Sequence, residues 1–574
     1  MASQFVFSAQ GSDGRELWAT DGTADGTHLL ADINPNGSSN PGSIYVQGES
    51  GSYFPTPGPL VSITGGRVLF GADDGTHGVE PWVTDGTAEG THLLADLNAE
   101  AGSSYPINFH DLGDGRALFN ASNGTSGREL WITDGTEGGT HLLADITPGS
   151  GSSDPGQFAS LGNGQVLFNA SDGIHGLEPW ITDGTAEGTR LLADINQGPG
   201  SSTTSSGFDV LAEGQAVFGA NDGVHGYDPW VTDGTAEGTQ LITDIPRGSV
   251  GGGVFSFHDM GDGRALFDTN DGAHGFEPWI TDGTAGGTHL LADINPGLSS
   301  SYAGTGGYAN LAPGRVLFAA SDGTVGDQLW VTDGTEGGTR LVTNLNEAAY
   351  SNSASGFFSL GDGRALFSYF DESTGRELWV SDGTADGTHR VADLNPGSAS
   401  SMPGKFVALG DGQALFTAND GTHGEELWLT DGTASGTQLV SDLDPGAPSS
   451  SPSGFARLLV SGSDQLVLKI SQDAYQGNAQ YTIAVDGEQV GGVRTAHAPH
   501  ATGQSDLVAV HGDWGAGDHD VAVTFLNDAW GGSPAADRNL YVDGATYNGY
   551  VQSGFEQALP WSGTVHFAFQ DTQI

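Results

Sequence analysis

Residues Gln157–Ile195 read QFASLGNGQVLFNASDGIHGLEPWITDGTAEGTRLLADI. Four short apolar runs, QFAS, QVLFNAS, LEPWIT and RLLADI, are cut by the turn sequences LGNG, DGIHG and DGTAEGT. Each run has the length of a β-strand, and the turns are built from Gly, Asp and Asn, which hydrogen-bond their own backbone or take positive φ. Nowhere in the stretch is there an apolar period of 3.6 long enough for a helix. The stretch therefore predicts one small antiparallel sheet of four strands.

The unit recurs. Trp stands at positions 18, 82, 131, 180, 230, 279, 330, 379 and 428, and all but the first interval are 49–51 residues. Three residues after each Trp an Asp-Gly-Thr turn begins, from Asp21 to Asp431, with Ser preceding the Asp at Asp382 and Thr elsewhere. Four strands per repeat at a period near 50 is the pattern of propeller blades. The chain opens in mid-unit, with Gln4–Ala9, Arg15–Asp21 and His28–Ile33 matching strands two to four. After the last fourth strand one more first-strand segment follows, Phe455–Val460. That segment supplies what the first blade lacks, so the ring is expected to close through its two ends and leave no open sheet edge. The expected fold is all-β: a nine-bladed β-propeller over residues 1–460, followed by a C-terminal β-sandwich of jelly-roll type over 463–574. Because nine exceeds the usual range of about four to eight blades, an open solenoid or two smaller rings are the alternatives.

Composition narrows the function. With 17 Lys and Arg against 71 Asp and Glu, the 574-residue chain carries a formal charge of −54. Nucleic acid and anionic membranes are repelled by such a chain. No Cys is present, which removes disulfides, zinc-thiolate sites and thiol nucleophiles. No apolar run approaches the ~20 residues that span a bilayer.

Most repeated residues read as structure. The Trp residues fill the spaces between blades, and the Asp-Gly-Thr turns satisfy themselves. His77, His175, His225, His274 and His423 sit in DGxHG turns, expected to be capped and solvated. The acidic residue two before each Trp (Glu16, Glu80, Glu129, Glu178, Asp228, Glu277, Glu377 and Glu426, with Gln328 in the seventh unit) shares the Trp face of its strand and is expected in an exposed polar ring. No pair of carboxylates stands out from the repeat as a glycosidase acid and nucleophile would. No catalytic residue is assigned, and the reading leans away from an enzyme.

Residues 1–460 resemble the bacterial repeat family marked by Glu-Leu-Trp-x-x-Asp-Gly-Thr-x-x-Gly-Thr, intact here at Glu16–Thr27, Glu129–Thr140 and Glu377–Thr388. The resemblance implies an extracellular or cell-surface bacterial protein and brings no catalytic residues.

Beyond Ser463 the repeats stop, and alternating stretches such as YTIAV and HDVAVTF predict antiparallel sheet. This region closely resembles the calcium-dependent, xylan-binding carbohydrate-binding module of family sixty. The matching pieces are Asp473–Gln480, Gly512–Phe525, Asn527-Asp528-Ala529-Trp530 and Asp537-Arg538-Asn539-Leu540-Tyr541-Val542-Asp543. The resemblance implies a loop Ca2+ that ligates vicinal hydroxyls of a sugar. Asp528 and Asp537 flank a Gly-Gly-Ser-Pro loop that can bring two hard oxygen ligands to one ion. The carbonyl of Trp530 is a further candidate ligand, and Trp530 and Trp514 are candidate stacking rings. Asp473, Gln480 and Asp543 are candidates for a second ion, and Arg538 is expected to pair with a carboxylate. MASQFVFSAQ shows no basic segment followed by an apolar core, so the expected secretion rests on the calcium and on the resemblances. The expectation is a secreted, monomeric, non-enzymatic protein binding a xylan-like, galactan-like or cell-surface glycan. A glycan-degrading enzyme targeted by its module, and a surface or matrix scaffold, are the alternatives.

Overall fold

The computed structural model describes residues 4–571 apart from 48–52, 100, 101, 213, 247–252, 325, 344–353, 411, 447, 459–463, 490–493, 497, 503, 504, 513, 515, 516, 534–536, 548 and 549. Leu459 and Val460, at the end of the predicted strand Phe455–Val460, and Pro534 of the Gly-Gly-Ser-Pro loop lie outside the described residues. The chain divides into two compact units, Met1–Leu458 and Leu459–Ile574.

In the first unit the described residues form nine four-stranded antiparallel sheets with the character of propeller blades. The quoted unit gives strands Gly156–Ser160, Val166–Ser171, Leu177–Thr182 and Arg190–Leu191, paired in that order. Within it an aromatic ladder crosses the sheet: Phe158 lies 5.7 Å from Phe168, which lies 6.3 Å from Trp180. Apolar residues line both faces, so each sheet packs on its neighbours. Leu118, Leu130 and Ile132 of one sheet meet Val166, Phe168 and Trp180 of the next, and Phe5 and Phe7 of the first sheet meet Leu415, Leu427 and Val440 of the last. The first sheet takes its fourth member from the far end of the unit. Ser453–Arg457 pairs antiparallel with Phe5–Gly11, Phe5 opposite Arg457 and Val6 opposite Ala456.

The outermost strand has two lengths, and a single residue decides which. Where Leu precedes Trp, as at Leu17, Leu130, Leu329, Leu378 and Leu427, that strand runs four residues. Where Pro precedes Trp, at Pro81, Pro179, Pro229 and Pro278, it runs two. Leu130 pairs with Ala144 across the ladder, whereas proline has no N–H to donate there. The Pro179 carbonyl still accepts from the Leu192 N–H at 2.9 Å.

The acidic residue before Trp is not in an exposed ring, which corrects the sequence expectation. Glu16, Glu80, Glu129, Glu178, Glu277, Glu377 and Glu426 are buried, at most 1% exposed. Sharing the Trp face puts the carboxylate in the packed space between sheets. Glu178 accepts the N–H of Ile195 at 2.9 Å, the N–H of Ser202 at 2.9 Å and the Ser202 hydroxyl at 2.5 Å. It thereby ties its own sheet to the strand Thr203–Ala212 that opens the next one. Burial raises these carboxyls from the ordinary range, to about 7 for Glu80 and Glu277 and about 6 for Glu178.

The Asp-Gly-Thr turns close on themselves. Asp183 accepts the Thr185 N–H and hydroxyl at 2.9 and 2.6 Å, and Thr185 Oγ1 accepts the Gly188 N–H at 3.0 Å. A Cβ on Gly188 would stand 2.0 Å from Asp183 Oδ1, which explains the second Gly of the signature. The DGxHG turns are capped, as expected: Asp172 accepts the N–H groups of Ile174 and His175 and holds His175 Nδ1 at 2.6 Å.

In the second unit two five-stranded sheets share one core, among it Leu466, Leu468, Ile470, Leu540 and Val542 from one sheet and Ile483, Val521, Val523, Phe567 and Phe569 from the other.

Candidate functional site

The strand Asp537–Tyr547 alternates strictly at its start. Leu540 and Val542 enter the core, so Asp537, Asn539, Tyr541 and Asp543 fall together on the opposite face. The neighbouring strand Asp464–Asp473 places Asp473 opposite Asn539 and Ser471 opposite Tyr541. On the other side the two-residue strand Ala529–Trp530 places Trp530 opposite Asp537. The result is a row of oxygen-bearing side chains ending at the Trp530 hairpin.

At the hairpin end, the Asp537 and Asn539 Oδ1 atoms are buried without a hydrogen-bond partner among the described residues. An orphaned carboxylate oxygen beside an orphaned amide oxygen leaves desolvation uncompensated, and a hard cation bound there would offset it. In the middle, Asp473 Oδ2 accepts the Tyr541 hydroxyl at 2.7 Å and the Asn539 Nδ2–H at 3.3 Å. Burial, with the hydrogen bond to Asp473, pushes the Tyr541 phenol up to about 12. The His500 ring stacks on Tyr541 with centroids 3.7 Å apart. At the far end Asp543 takes the Ser505 hydroxyl at 2.7 Å and lies 3.2 Å from His500 Nδ1. Six positions along a strand are about 20 Å, so Asp543 and Asp537 do not share an ion. Asp543 is likewise about 13 Å along the strand from the position facing Asp473, so these two candidates for a second ion are held apart as well.

Arg538 points the other way and is buried. It does not pair with a carboxylate among the described residues, contrary to the sequence expectation. Its Nε donates to the Gly477 carbonyl at 3.0 Å, its Nη2 to Tyr475 O at 2.6 Å and its Nη1 to Asn527 O. Asn527 in turn donates to Asn478 O at 3.0 Å and accepts the Gln480 N–H at 2.6 Å. Arg538 thus locks two loops together beside Asp528, and Gln480 belongs to this clamp through its backbone.

Asp528 is exposed, and its N–H donates to Ser562 Oγ at 3.0 Å. That bond brings Trp561 beside it. Trp530 and Trp561 are 59% and 69% exposed, so two large rings stand open to solvent near one carboxylate. Trp514 is different: it packs on the core, edge-on to Phe569 with centroids 5.4 Å apart. The sequence reading missed Asn539, Tyr541, His500 and Trp561. The alternation DRNLYVD carried the signal for the first two, while His500 and Trp561 come close only through folding. Among the described residues no three His, Asp or Glu side chains gather as a ready metal site, so amide and carbonyl oxygens must complete any cation shell here.

Solved structures similar to the chain include a puromycin hydrolase, at 15% identity and a TM-score of 0.32, with 63% of this chain and 58% of that one covered. A prolyl endopeptidase shows 13% identity and a TM-score of 0.34, covering 76% of this chain and 53% of that one. Prolyl oligopeptidase B from Galerina marginata shows 10% identity and a TM-score of 0.36, covering 64% and 53%. The chain thus spans a little over half the length of these proteins. All three are hydrolytic enzymes, and the expectation of a non-enzymatic protein is withdrawn on that finding. At such low similarity neither their substrates nor their catalytic residues pass to this chain. No curated protein matches it. Residues 465–557 match the family described as the Ca-dependent, xylan-binding carbohydrate-binding module, and the row and the exposed rings lie inside or beside that span, so the match supports polysaccharide binding by the second unit.

Proposed function

We propose that this is an extracellular protein acting on a polysaccharide, in which the C-terminal unit, a β-sandwich, anchors the chain to a xylan-type glycan through calcium. The orphaned oxygens of Asp537 and Asn539, inside the span matched by a calcium-dependent family, carry the reading. Asp537, Asn539, Asp528 and the Trp530 carbonyl would hold the ion. When bound, calcium offers open coordination positions to vicinal hydroxyls of a sugar. Trp530 and Trp561 stack on the apolar face of a pyranose. Asp473 fixes Asn539, and Arg538 fixes the loop before Asp528. Asp537→Ala and Asp528→Ala are expected to abolish xylan binding in affinity electrophoresis, as EDTA should for the wild type, with recovery on added calcium. Binding that survives both EDTA and Asp537→Ala would sink this mechanism.

The first unit, read as one closed ring of nine blades, is the part that acts on the anchored polymer. Asp209 supports an enzymatic role. Burial and the charge of Asp259 raise its carboxyl to about 6, and the two stand on first strands of successive sheets. A carboxyl raised by burial beside a second carboxylate is a candidate general acid. Reducing-sugar release from xylan, lost in Asp209→Asn, is the expected result. No release by the wild type from xylans or galactans would refute it.

A further inference from the structure

A cavity of about 440 Å³ opens in the first unit where two first strands, Gly404–Gly410 and Ser453–Arg457, meet the segment 57–59. Its lining includes Pro57, Pro59, Phe406 and Phe455, with Ser453 and Lys405 as the polar members. The volume falls within the range of small-molecule sites, and an apolar wall with a few convergent polar groups is their usual make-up.

Lys405 marks this cavity out. The chain has only two lysines, and this one sits at φ +52° immediately before an inner aromatic. The same place is Gly207, Gly356 and Gly454 in other sheets, all at positive φ. Asn108 and Gln157 hold the same place with the same left-handed backbone in two further sheets, so the conformation belongs to the repeat and the lysine is what is particular to this cavity. Lys405 Nζ meets Glu425 Oε1 at 2.9 Å, and Thr417 fixes the same oxygen at 2.8 Å. Arg15 approaches from behind, reaching Ser453 Oγ at 3.4 Å and the carbonyls of Ser450 and Ser451 at 3.2 and 3.1 Å, within the electrostatic reach of Glu425. Two cations thus act on one carboxylate at the polar end, Lys405 from the cavity wall and Arg15 from behind it.

We propose that the cavity binds a sugar acid: a pyranose ring whose apolar face lies on Phe406, Phe455 and the prolines, with its carboxylate on Lys405. A purely apolar ligand leaves the remaining N–H donors of the lysine, beyond the one given to Glu425, without use, and a free anion leaves the rings unused. In a chain of charge −54 the overall field repels anions, so selection for one must come from these local cations. The inference is independent of the C-terminal site.

The full chain would be titrated calorimetrically at low ionic strength in EDTA, which removes the calcium-dependent module from the result. The probes are methyl glucuronoside, methyl glucoside and acetate. The glucuronoside is expected to bind at least tenfold more tightly than either of the others. Lys405→Met, which keeps the aliphatic stem, should lose at least tenfold, and Lys405→Arg should retain binding. Equal binding of glucuronoside and glucoside, equal binding of acetate, an unchanged Lys405→Met variant or no detectable binding would each overturn the proposal.

Discussion

Gly188 shows how a signature position arises from contact distance alone. A methyl group there collides with Asp183 Oδ1 at 2.0 Å, so Gly188→Ala must break either the turn or its hydrogen bonds. We expect a loss of about 1–3 kcal/mol, seen as a lower urea midpoint. Gly138→Ala should change little, because a Cβ there meets nothing within 4 Å. Arg538 is the counterpart in the second unit. Arg538→Met removes the shared donor of three carbonyls, each left unsatisfied at a cost of about 1–3 kcal/mol. Xylan binding should then fall with the stability of that unit, even though Arg538 touches no sugar in our reading.

The blade was largely legible as an element: strand order, turns and aromatic ladder follow from QFAS, QVLFNAS and LEPWIT. Two things were not. RLLADI promises a six-residue strand, yet only Arg190–Leu191 pairs, because the consequence of Pro179 falls on a neighbouring strand. Glu178 looked solvated because carboxylates usually are; its burial depends on donors 17 and 24 residues ahead. In the second unit the spacing marks Asp528 and Asp537 as candidates, while the approach of His500 to Tyr541 arises only across the sheet. The buried Glu residues predict a pH dependence. Their folded pKa values lie above the unfolded one, so their contribution is complete below about 4.5 and is lost as pH rises through 6–7. His175 and its equivalents are raised by their Asp partners and act in the same direction. The melting temperature should therefore be higher at pH 5 than at pH 8. A flat profile over that interval would contradict the burial argument.

At the scale of the whole molecule, charge and closure dominate. The part up to Val460 carries −44 and the remainder −10, from 13 acidic and 3 basic residues. Sodium chloride should raise the melting temperature between low and physiological strength by screening this repulsion. Closure is tested by comparing a chain ending at Leu458 with one ending at Pro452. The shorter lacks Ser453–Arg457 and leaves Phe5–Gly11 as a bare edge, so it should aggregate where the longer stays monomeric.

The pairing of Phe5 with Arg457 also sets a clock. The two partners are 452 positions apart. At ~5–20 residues per second, roughly 20–90 s of synthesis separate them. Throughout that interval the first sheet has only three of its strands, and its neighbour on one side has not yet been made. Each sheet in between can form on its predecessor as it emerges, but the last step waits for the end of the repeat. The N-terminal hairpin is therefore the part of this protein most dependent on being shielded while it waits.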